Sequence, residues 1–256
     1  MDVRALLTSP LAILIGWSLG ALGGGGSILA LPVLVYAAGQ QPRSATATSM
    51  ILVALTSAVA LVPHARAGRV RRRAGLVFAV AGIPAALGGG WLAHDLDSDL
   101  LLLLFAPVMA IAAWIMLRSR EAVRADGPRH WPVPGCVVVA FVGLGVGLLT
   151  GVFGVGGGFV IVPALVLALD VPMLEAIGTS LLVIMINSLV ALSTRLHADT
   201  VEWEVVAPFV IAAMIGVAIG SRTADRVPAD RLRRGFAWLL IVVAAFTATR
   251  SGIALA

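Results

Sequence analysis

Long apolar stretches, separated by short polar and arginine-rich loops, dominate this sequence. Of its 256 residues, 60% are hydrophobic and only 12% are charged, and the mean hydropathy is +1.03. An average soluble domain carries roughly a quarter charged residues. A soluble fold could not bury so much apolar surface, so the sequence predicts an all-α polytopic membrane protein and argues against a soluble enzyme.

The basic residues are distributed as topology determinants. All 18 of them are arginine, and most lie in short clusters between apolar spans. A net charge of +5 would suggest a nucleic-acid partner in a soluble chain, but arginine clusters beside apolar spans are typical of membrane proteins. We therefore predict no nucleic-acid partner. Cys136 is the single cysteine and no residues have metal-ligand spacing, so we also predict no disulfide, metal or cofactor.

The second half of the chain repeats features of the first half at a constant offset. The matched features are Pro32 with Pro163, Gly25-Gly26 with Gly156-Gly157, Thr48-Ser49 with Thr179-Ser180 and, after a slip of one position, Gly88 with Gly220. A shared glycine run, proline and Thr-Ser pair at one offset predicts two homologous halves. The first transmembrane repeat covers residues 1–118, a cytoplasmic linker covers 119–134, and the second repeat covers 135–256.

Each half is predicted to contain three membrane-spanning helices after a glycine-rich segment. The spans are 44–63, 74–93 and 100–117 in the first half, and 176–194, 205–221 and 235–249 in the second. Each is near the ~20 residues that a helix needs to cross a bilayer. The glycine-rich segments, 5–38 and 135–169, are too long for one straight helix. Each is either a single broken crossing or a hairpin of two short helices.

The arginine distribution discriminates between these two arrangements. Single crossings would make the halves parallel and divide the arginines 12 to 6, whereas hairpins would invert one half and divide them 14 to 4. Because arginine accumulates on the cytoplasmic side, the larger asymmetry favours inverted repeats. Both termini are then predicted to face the periplasm. The cytoplasmic loops are 66–73, 118–129 and 222–234.

Uncharged polar residues and glycines inside the apolar segments form the candidate substrate site. They are Gly24, Gly25, Gly26, Ser27, Pro32, Thr48, Ser49 and Thr56 in the first half, and Gly156, Gly157, Gly158, Pro163, Thr179, Ser180 and Asn187 in the second. A helix that begins after a glycine break directs backbone N–H groups and the positive end of its dipole toward an anion. The side chains recur at i+7 and i+8, on one helix face. Arg43, beside the first polar stripe, is predicted to attract the anion.

Each of these features also has a purely structural interpretation. Glycines allow close helix packing in membranes, and serine or threonine hydroxyls often bond to their own backbone. No catalytic residue is predicted, because Ser27 has no evident base to act with. The four histidines (His64, His94, His130 and His197) fall at span ends or in loops and are predicted to be interfacial. No charged residue is predicted at mid-membrane depth.

A duplicated motif resembles the TauE/SafE sulfite exporter family. GGGSILALP at residues 24–32 and GVGGGFVIVP at 154–163 are each followed by a Thr-Ser pair, in ATATS and EAIGTS. The resemblance covers both halves and nearly the whole chain. It implies a multi-pass permease of the bacterial inner membrane for sulfur oxyanions or organosulfonates, such as sulfite or sulfoacetate. A small anion and the lipid bilayer are the implied partners, and a homo-oligomer is compatible with the sequence.

Three functional classes remain open at this stage: a secondary anion carrier, a passive anion channel, and a membrane-embedded enzyme or accessory subunit. Sequence does not show whether access to a site alternates, so a channel stays possible. An enzyme would need a nucleophile with its base, or metal ligands, at membrane depth. An ATP-driven pump of the P-loop type is excluded because the G-x-x-x-x-G-K-[ST] motif requires a lysine and this chain has none.

Overall fold

All regular elements in the described part of the chain are helical. The computed structural model describes residues 3–37, 39, 42–92, 98–118, 133–153, 158–195 and 203–254. The helices are α1 (Val3–Leu22), α2 (Gly25–Pro32), α3 (Pro42–Arg66), α4 (Arg72–Leu92), α5 (Ser98–Arg118), α6 (Val133–Phe153), α7 (Gly158–Pro163), α8 (Met173–Arg195), α9 (Trp203–Arg226) and α10 (Ala229–Ala254). Short π-helical segments, Val33–Ala37 and Ala164–Ala168, continue α2 and α7.

Among the described residues, five helices are long and apolar enough to cross a membrane. The spans are Thr48–Arg66, Gly135–Val152, Met173–Ser193, Val206–Arg226 and Ala229–Thr249. Large apolar side chains are also exposed, with 67% of Val80 and 69% of Phe141 accessible. Water would penalise this exposure, whereas hydrocarbon does not. The predicted class, a multi-pass helical membrane protein, is confirmed.

One predicted arrangement differs from the structure. The predicted span at 74–93 forms a single helix, α4, as expected. In contrast, α6 is long enough to cross alone, whereas the sequence predicts two short helices within 135–169. That prediction was wrong for the first arm, because the glycines at 143, 145, 147 and 151 do not interrupt the helix.

The glycines of α1, α4, α6 and α9 bring helix backbones into direct contact. A Cβ on Gly20 would lie 2.6 Å from the carbonyl oxygen of Val217, and one on Gly143 would lie 2.7 Å from that of Phe78. A Cβ on Gly16 would overlap the backbone of Ala213. Since Gly16 and Gly20 meet successive turns of α9 in the same order, α1 and α9 run parallel. Small residues that allow such approach are typical of membrane helix interfaces.

The same glycine contacts occur in both halves, at the offset that aligns Pro32 with Pro163. The matched pairs, each a glycine facing a carbonyl, are Gly16–Ala213 with Gly147–Gly82, Gly20–Val217 with Gly151–Ala86, and Gly220–Trp17 with Gly89–Leu148. No slip is needed. Pairing Gly88 with Gly220 was therefore wrong: nothing lies within 4 Å of a Cβ on Gly88, whereas Gly89 makes the contact equivalent to that of Gly220.

Helices α3 and α8 pack against each other in opposite directions. A Cβ on Gly178, in the second turn of α8, would lie 3.3 Å from the Cβ of His64 near the end of α3. The backbone N–H of Arg71 donates to Thr179 Oγ1 at 3.0 Å. The end of α3 therefore meets the beginning of α8. This pair of helices carries most of the predicted hydroxyl and amide side chains.

Candidate functional site

The glycine breaks of the two halves are in contact. α1 ends at Leu22, and Gly23 has a φ of +76°, in the left-handed region that favours glycine. A Cβ on Gly24 would overlap the carbonyl of Gly158, the first residue of α7. The backbone nitrogen of Phe159 lies 2.8 Å from the same Cβ position. The two halves therefore meet backbone to backbone at this point.

Two predicted serines border this contact. Ser27 donates a hydrogen bond to the carbonyl of Gly24 at 2.7 Å, and its hydroxyl occupies the space that a Cβ on Gly158 would need. Ser180 lies in the other half, with its hydroxyl 2.7 Å from the position of a Cβ on Gly23. The structure thus brings Gly24, Ser27, Gly158 and Ser180 together.

The predicted hydroxyls differ in their hydrogen bonding. Thr56 donates to the carbonyl of Leu52, and Ser180 donates to that of Ile177 at 2.8 Å, as the structural interpretation expects. Thr179 accepts the backbone N–H of Arg71. Thr48 is fully buried, and its hydroxyl has no hydrogen-bond partner within the described part of the chain. Along α3, Thr48 lies 16 residues, or about 24 Å, from His64, and therefore far from the level of Thr179 and Ser180.

Asn187 and Thr56 lie at one level of the α3–α8 pair. From the contact of His64 with Gly178, Thr56 is about 12 Å back along α3 and Asn187 about 14 Å forward along α8. The Oδ1 atom of Asn187 is buried and has no partner among the described residues. Ser49 is half-buried. These positions continue the polar residues along the α3–α8 pair, away from the contact of His64 with Gly178.

The remaining predicted residues are packed or lie outside the description. A Cβ on Gly25 would lie 2.6 Å from Leu239 Cδ2, and one on Gly26 would lie 2.5 Å from the carbonyl oxygen of Ile15. Pro163 is buried at the end of α7. Gly156 and Gly157 lie outside the described residues, as do the side chains of Pro32 at the end of α2 and of Arg43 in the first turn of α3.

Two ionisable residues are buried, although the sequence predicts an interfacial position for one of them and a cytoplasmic loop for the other. His64 is 1% exposed, because α1 and α8 cover this face of α3. Its Nε2 lies 3.4 Å from the carbonyl oxygen of Gly20, while Nδ1 has no partner within the described ranges. The prediction of an interfacial His64 was wrong. A signal was present, since Ser57, Ala60 and His64 recur at helical spacing on one buried face.

The burial of Arg233 was also not predicted from the sequence. The charge pattern predicts that Arg233 belongs to the loop at 222–234, whereas it lies on α10 and is only 6% exposed. Helical continuity through Arg233 depends on the tertiary packing of α10, which the charge pattern alone does not show.

The family comparison agrees with the duplicated motif. The family model described as sulfite exporter TauE/SafE matches residues 9–247. This chain belongs to the TauE/SafE family. A probable membrane transporter protein of Xylella fastidiosa is 36% identical over 241 residues, which cover 93% of this chain and 92% of the relative. A probable membrane transporter protein of Methanocaldococcus jannaschii is 27% identical over 212 residues, covering 78% and 77% of the two chains. No solved structure matches the chain.

Two ion pairs join the halves of this TauE/SafE protein at the end that carries the arginine clusters 66–73 and 222–234, called the arginine-rich end below. Arg69 pairs with Asp225 at the end of α9, and Arg71 pairs with Glu175 at the beginning of α8. At the offset of the repeat, Arg71 corresponds to Glu202 and Glu175 corresponds to Ser44. Glutamate and serine cannot form an ion pair, so the repeat has no equivalent of the Arg71–Glu175 pair. The sequence therefore makes this ionic connection specific to the arginine-rich end.

The chemistry available at the site of this TauE/SafE protein is hydrogen-bond donation. Backbone N–H groups, hydroxyls and buried arginines can stabilise an anion. In the described ranges, no three His, Cys, Asp or Glu side chains are grouped closely enough to hold a metal ion.

Proposed function

We propose that this protein is a secondary transporter for a small anion, a sulfur oxyanion or organosulfonate such as sulfite or sulfoacetate, across the bacterial inner membrane. Membership of the TauE/SafE family and relatives named as probable membrane transporters support transport. The contact of Gly24 with Gly158 carries the proposed location of the site, because it joins two broken helices from different halves. Broken helices that meet between repeats are a recurring design of substrate sites in secondary transporters.

The proposed substrate class matches the donors of the site. Sulfite and sulfonates present several oxygen acceptors around a negative charge. The α2 helix begins at the first break, so its free N–H groups and positive dipole end favour an anion there.

A counterflow experiment tests this function. Proteoliposomes loaded with unlabelled sulfite or sulfoacetate should take up the ³⁵S-labelled compound above its equilibrium level. A passive channel would let the label equilibrate without an overshoot. No uptake of any compound in a panel of sulfur oxyanions and organosulfonates would contradict the proposed substrate class. Repeating the assay with and without a proton gradient identifies coupling to protons.

We also propose that the two halves are inverted repeats. The glycine contacts that recur at the repeat offset support a two-fold relation between the halves. Equivalent helices α3 and α8 run in opposite directions, which supports inversion. The π-helical segments after α2 and α7 contact α1 and α6, as expected when each glycine-rich segment folds back on itself.

Inverted repeats predict that both termini face the periplasm. A green fluorescent protein that matures only in the cytoplasm should stay dark when it is fused after residue 256. The same protein inserted in the linker at 119–134 should fluoresce and serves as the matched control. A bright C-terminal fusion would instead support parallel halves.

The ion pairs at the arginine-rich end are proposed to hold that end closed during transport. Partly exposed ion pairs contribute about 0.2–1 kcal/mol each, so removing both should shift the ratio of open to closed states by about two- to thirty-fold. The test variant is Asp225→Asn with Glu175→Gln, in a Cys136→Ser background that carries Ser57→Cys as a probe. We expect faster labelling of the probe by an impermeant maleimide applied from the cytoplasmic side.

The control for this gate is Asp170→Asn, which neutralises an exposed carboxylate in the segment before α8. Its labelling rate should equal that of the parent protein. Equal rates in the double variant and the control would refute the gate. The outcome would leave the anion site untouched, because neither Asp225 nor Glu175 belongs to it.

A further inference from the structure

Arg233 combines deep burial with unused hydrogen-bond donors. Its side chain is 8% exposed, and Nη2 donates to Asp230 Oδ1 at 2.6 Å. Nε and Nη1 are buried and have no partner in the described part of the chain. Burying a charged group with unsatisfied donors is costly unless a partner compensates. These donors therefore call for an acceptor, and an anion is the acceptor that also compensates the charge.

The neighbouring carboxylate does not neutralise this region. Asp230 also accepts a hydrogen bond from Arg234 Nε at 2.9 Å, so one carboxylate faces two guanidinium groups. Both arginines lie in the first two turns of α10, where the helix dipole is positive. The local charge is therefore in positive excess.

The position of Arg233 along α10 places it near the level of the first glycine break. Two residues further on, a Cβ on Gly235 would lie 4.0 Å from Leu22 Cδ2. Leu239 Cδ2 lies 2.6 Å from the position of a Cβ on Gly25. Leu22 and Gly25 flank the break, and Leu239 lies about 9 Å along the helix from Arg233. Along the helix axis, Arg233 is thus one to two turns from the break, toward the α9–α10 loop, and its side chain leaves α10 about 120–160° around from Leu239 and Gly235.

We propose that Arg233 is a binding residue for the transported anion, between the glycine break and the arginine-rich end. The inference rests on the proposed anion transport and adds a cationic group to a site that the sequence predicts to be neutral. Nε and Nη1 donate to the oxygens of the sulfite or sulfonate group. A guanidinium suits this role because it stays charged when buried and presents several directed donors to an oxyanion.

Arg234 provides a matched control one residue away. It shares the Asp230 partner, but its side chain is 65% exposed. Sulfite and sulfoacetate binding is measured by calorimetry in nanodiscs of neutral phosphatidylcholine. Arg233→Gln should weaken binding about 10- to 100-fold, Arg233→Lys by less, and Arg234→Gln by less than two-fold. Equal affinities of Arg233→Gln and the parent protein would overturn the inference.

A second measurement uses the parent protein and needs no folded variant. Phenylglyoxal modifies arginines, and peptide mass spectrometry reports each site. Sulfoacetate, which does not react with phenylglyoxal, should protect Arg233 from modification and leave Arg234 unprotected. Equal modification of Arg233 with and without sulfoacetate, in protein that binds sulfoacetate by calorimetry, would overturn the inference.

Two further outcomes separate this inference from its alternatives. If the parent protein binds neither sulfite nor sulfoacetate but binds inorganic phosphate through Arg233, the substrate proposal fails and the Arg233 site stands. Bound phosphatidylglycerol can be quantified after purification from phosphatidylglycerol-containing membranes. Loss of that lipid in Arg233→Gln, with unchanged anion affinity in phosphatidylcholine, would assign Arg233 to a lipid headgroup and overturn the inference.

Discussion

Gly24→Ala is expected to abolish transport, because the new methyl group would overlap the carbonyl of Gly158. The new Cβ is fixed to the backbone of residue 24 and the carbonyl is part of the backbone of Gly158, so neither group can rotate away. Overpacking of this kind costs about 1–3 kcal/mol or more. Relief requires the two halves to separate at the break. We expect counterflow to fall below detection and the melting temperature in detergent to decrease.

The matched control for Gly24 is Gly88→Ala. Nothing lies within 4 Å of a Cβ at this position, which is inside α4. Alanine in a helix interior is favoured over glycine by up to about 1 kcal/mol, so this variant should transport normally and be at least as stable. If Gly24→Ala behaved like Gly88→Ala in both assays, the contact between the breaks would be wrong.

Thr48→Val should weaken anion binding about 10- to 100-fold while leaving stability nearly unchanged, since a hydrogen bond to a charged group contributes roughly 1.5–3 kcal/mol. Valine keeps the shape of threonine, and the Thr48 hydroxyl has no partner to lose within the described residues. Calorimetry measures the affinity and thermal unfolding measures the stability. A dissociation constant unchanged from that of the parent protein would remove Thr48 from the site.

Thr179→Val separates the two roles of a hydroxyl. This variant removes the acceptor for the backbone N–H of Arg71 and should therefore cost about 1–3 kcal/mol of stability in addition to any loss of affinity. Thr249→Val is the control, because its exposed hydroxyl bonds within α10, to the carbonyl of Ala245 at 2.9 Å, ten residues beyond Leu239. Thr249→Val should leave anion affinity unchanged.

The periodic features of the sequence predicted the helical fold and the glycine breaks. Apolar spans of bilayer-crossing length have few solutions other than a helix in a membrane. The first helix indeed ends at Leu22, just before the glycine run. The repeat offset was also readable from Pro32 and Pro163. Choosing Gly89 over Gly88 required the structure, because adjacent glycines differ only in which helix face they occupy.

Hydrogen-bond partners could not be predicted from the sequence. Thr48 and Thr179 occupy equivalent positions, yet only Thr179 meets the loop after α3, where it accepts the N–H of Arg71. Burial of charge was missed for the same reason. Arginines in a loop and arginines in the first turns of a helix look alike in sequence, and only the packing of α10 distinguishes Arg233 from Arg234.

Anomalous diffraction from crystals soaked in selenite tests the central claim most directly. Selenite is the heavier analogue of sulfite, with the same charge and the same three oxygens. The account predicts one selenium peak beside the break at Gly23 and Gly24, within reach of the Arg233 guanidinium. A peak confined to the lipid-facing surface or to exposed arginines, in protein that transports sulfite, would contradict a site where the broken helices meet.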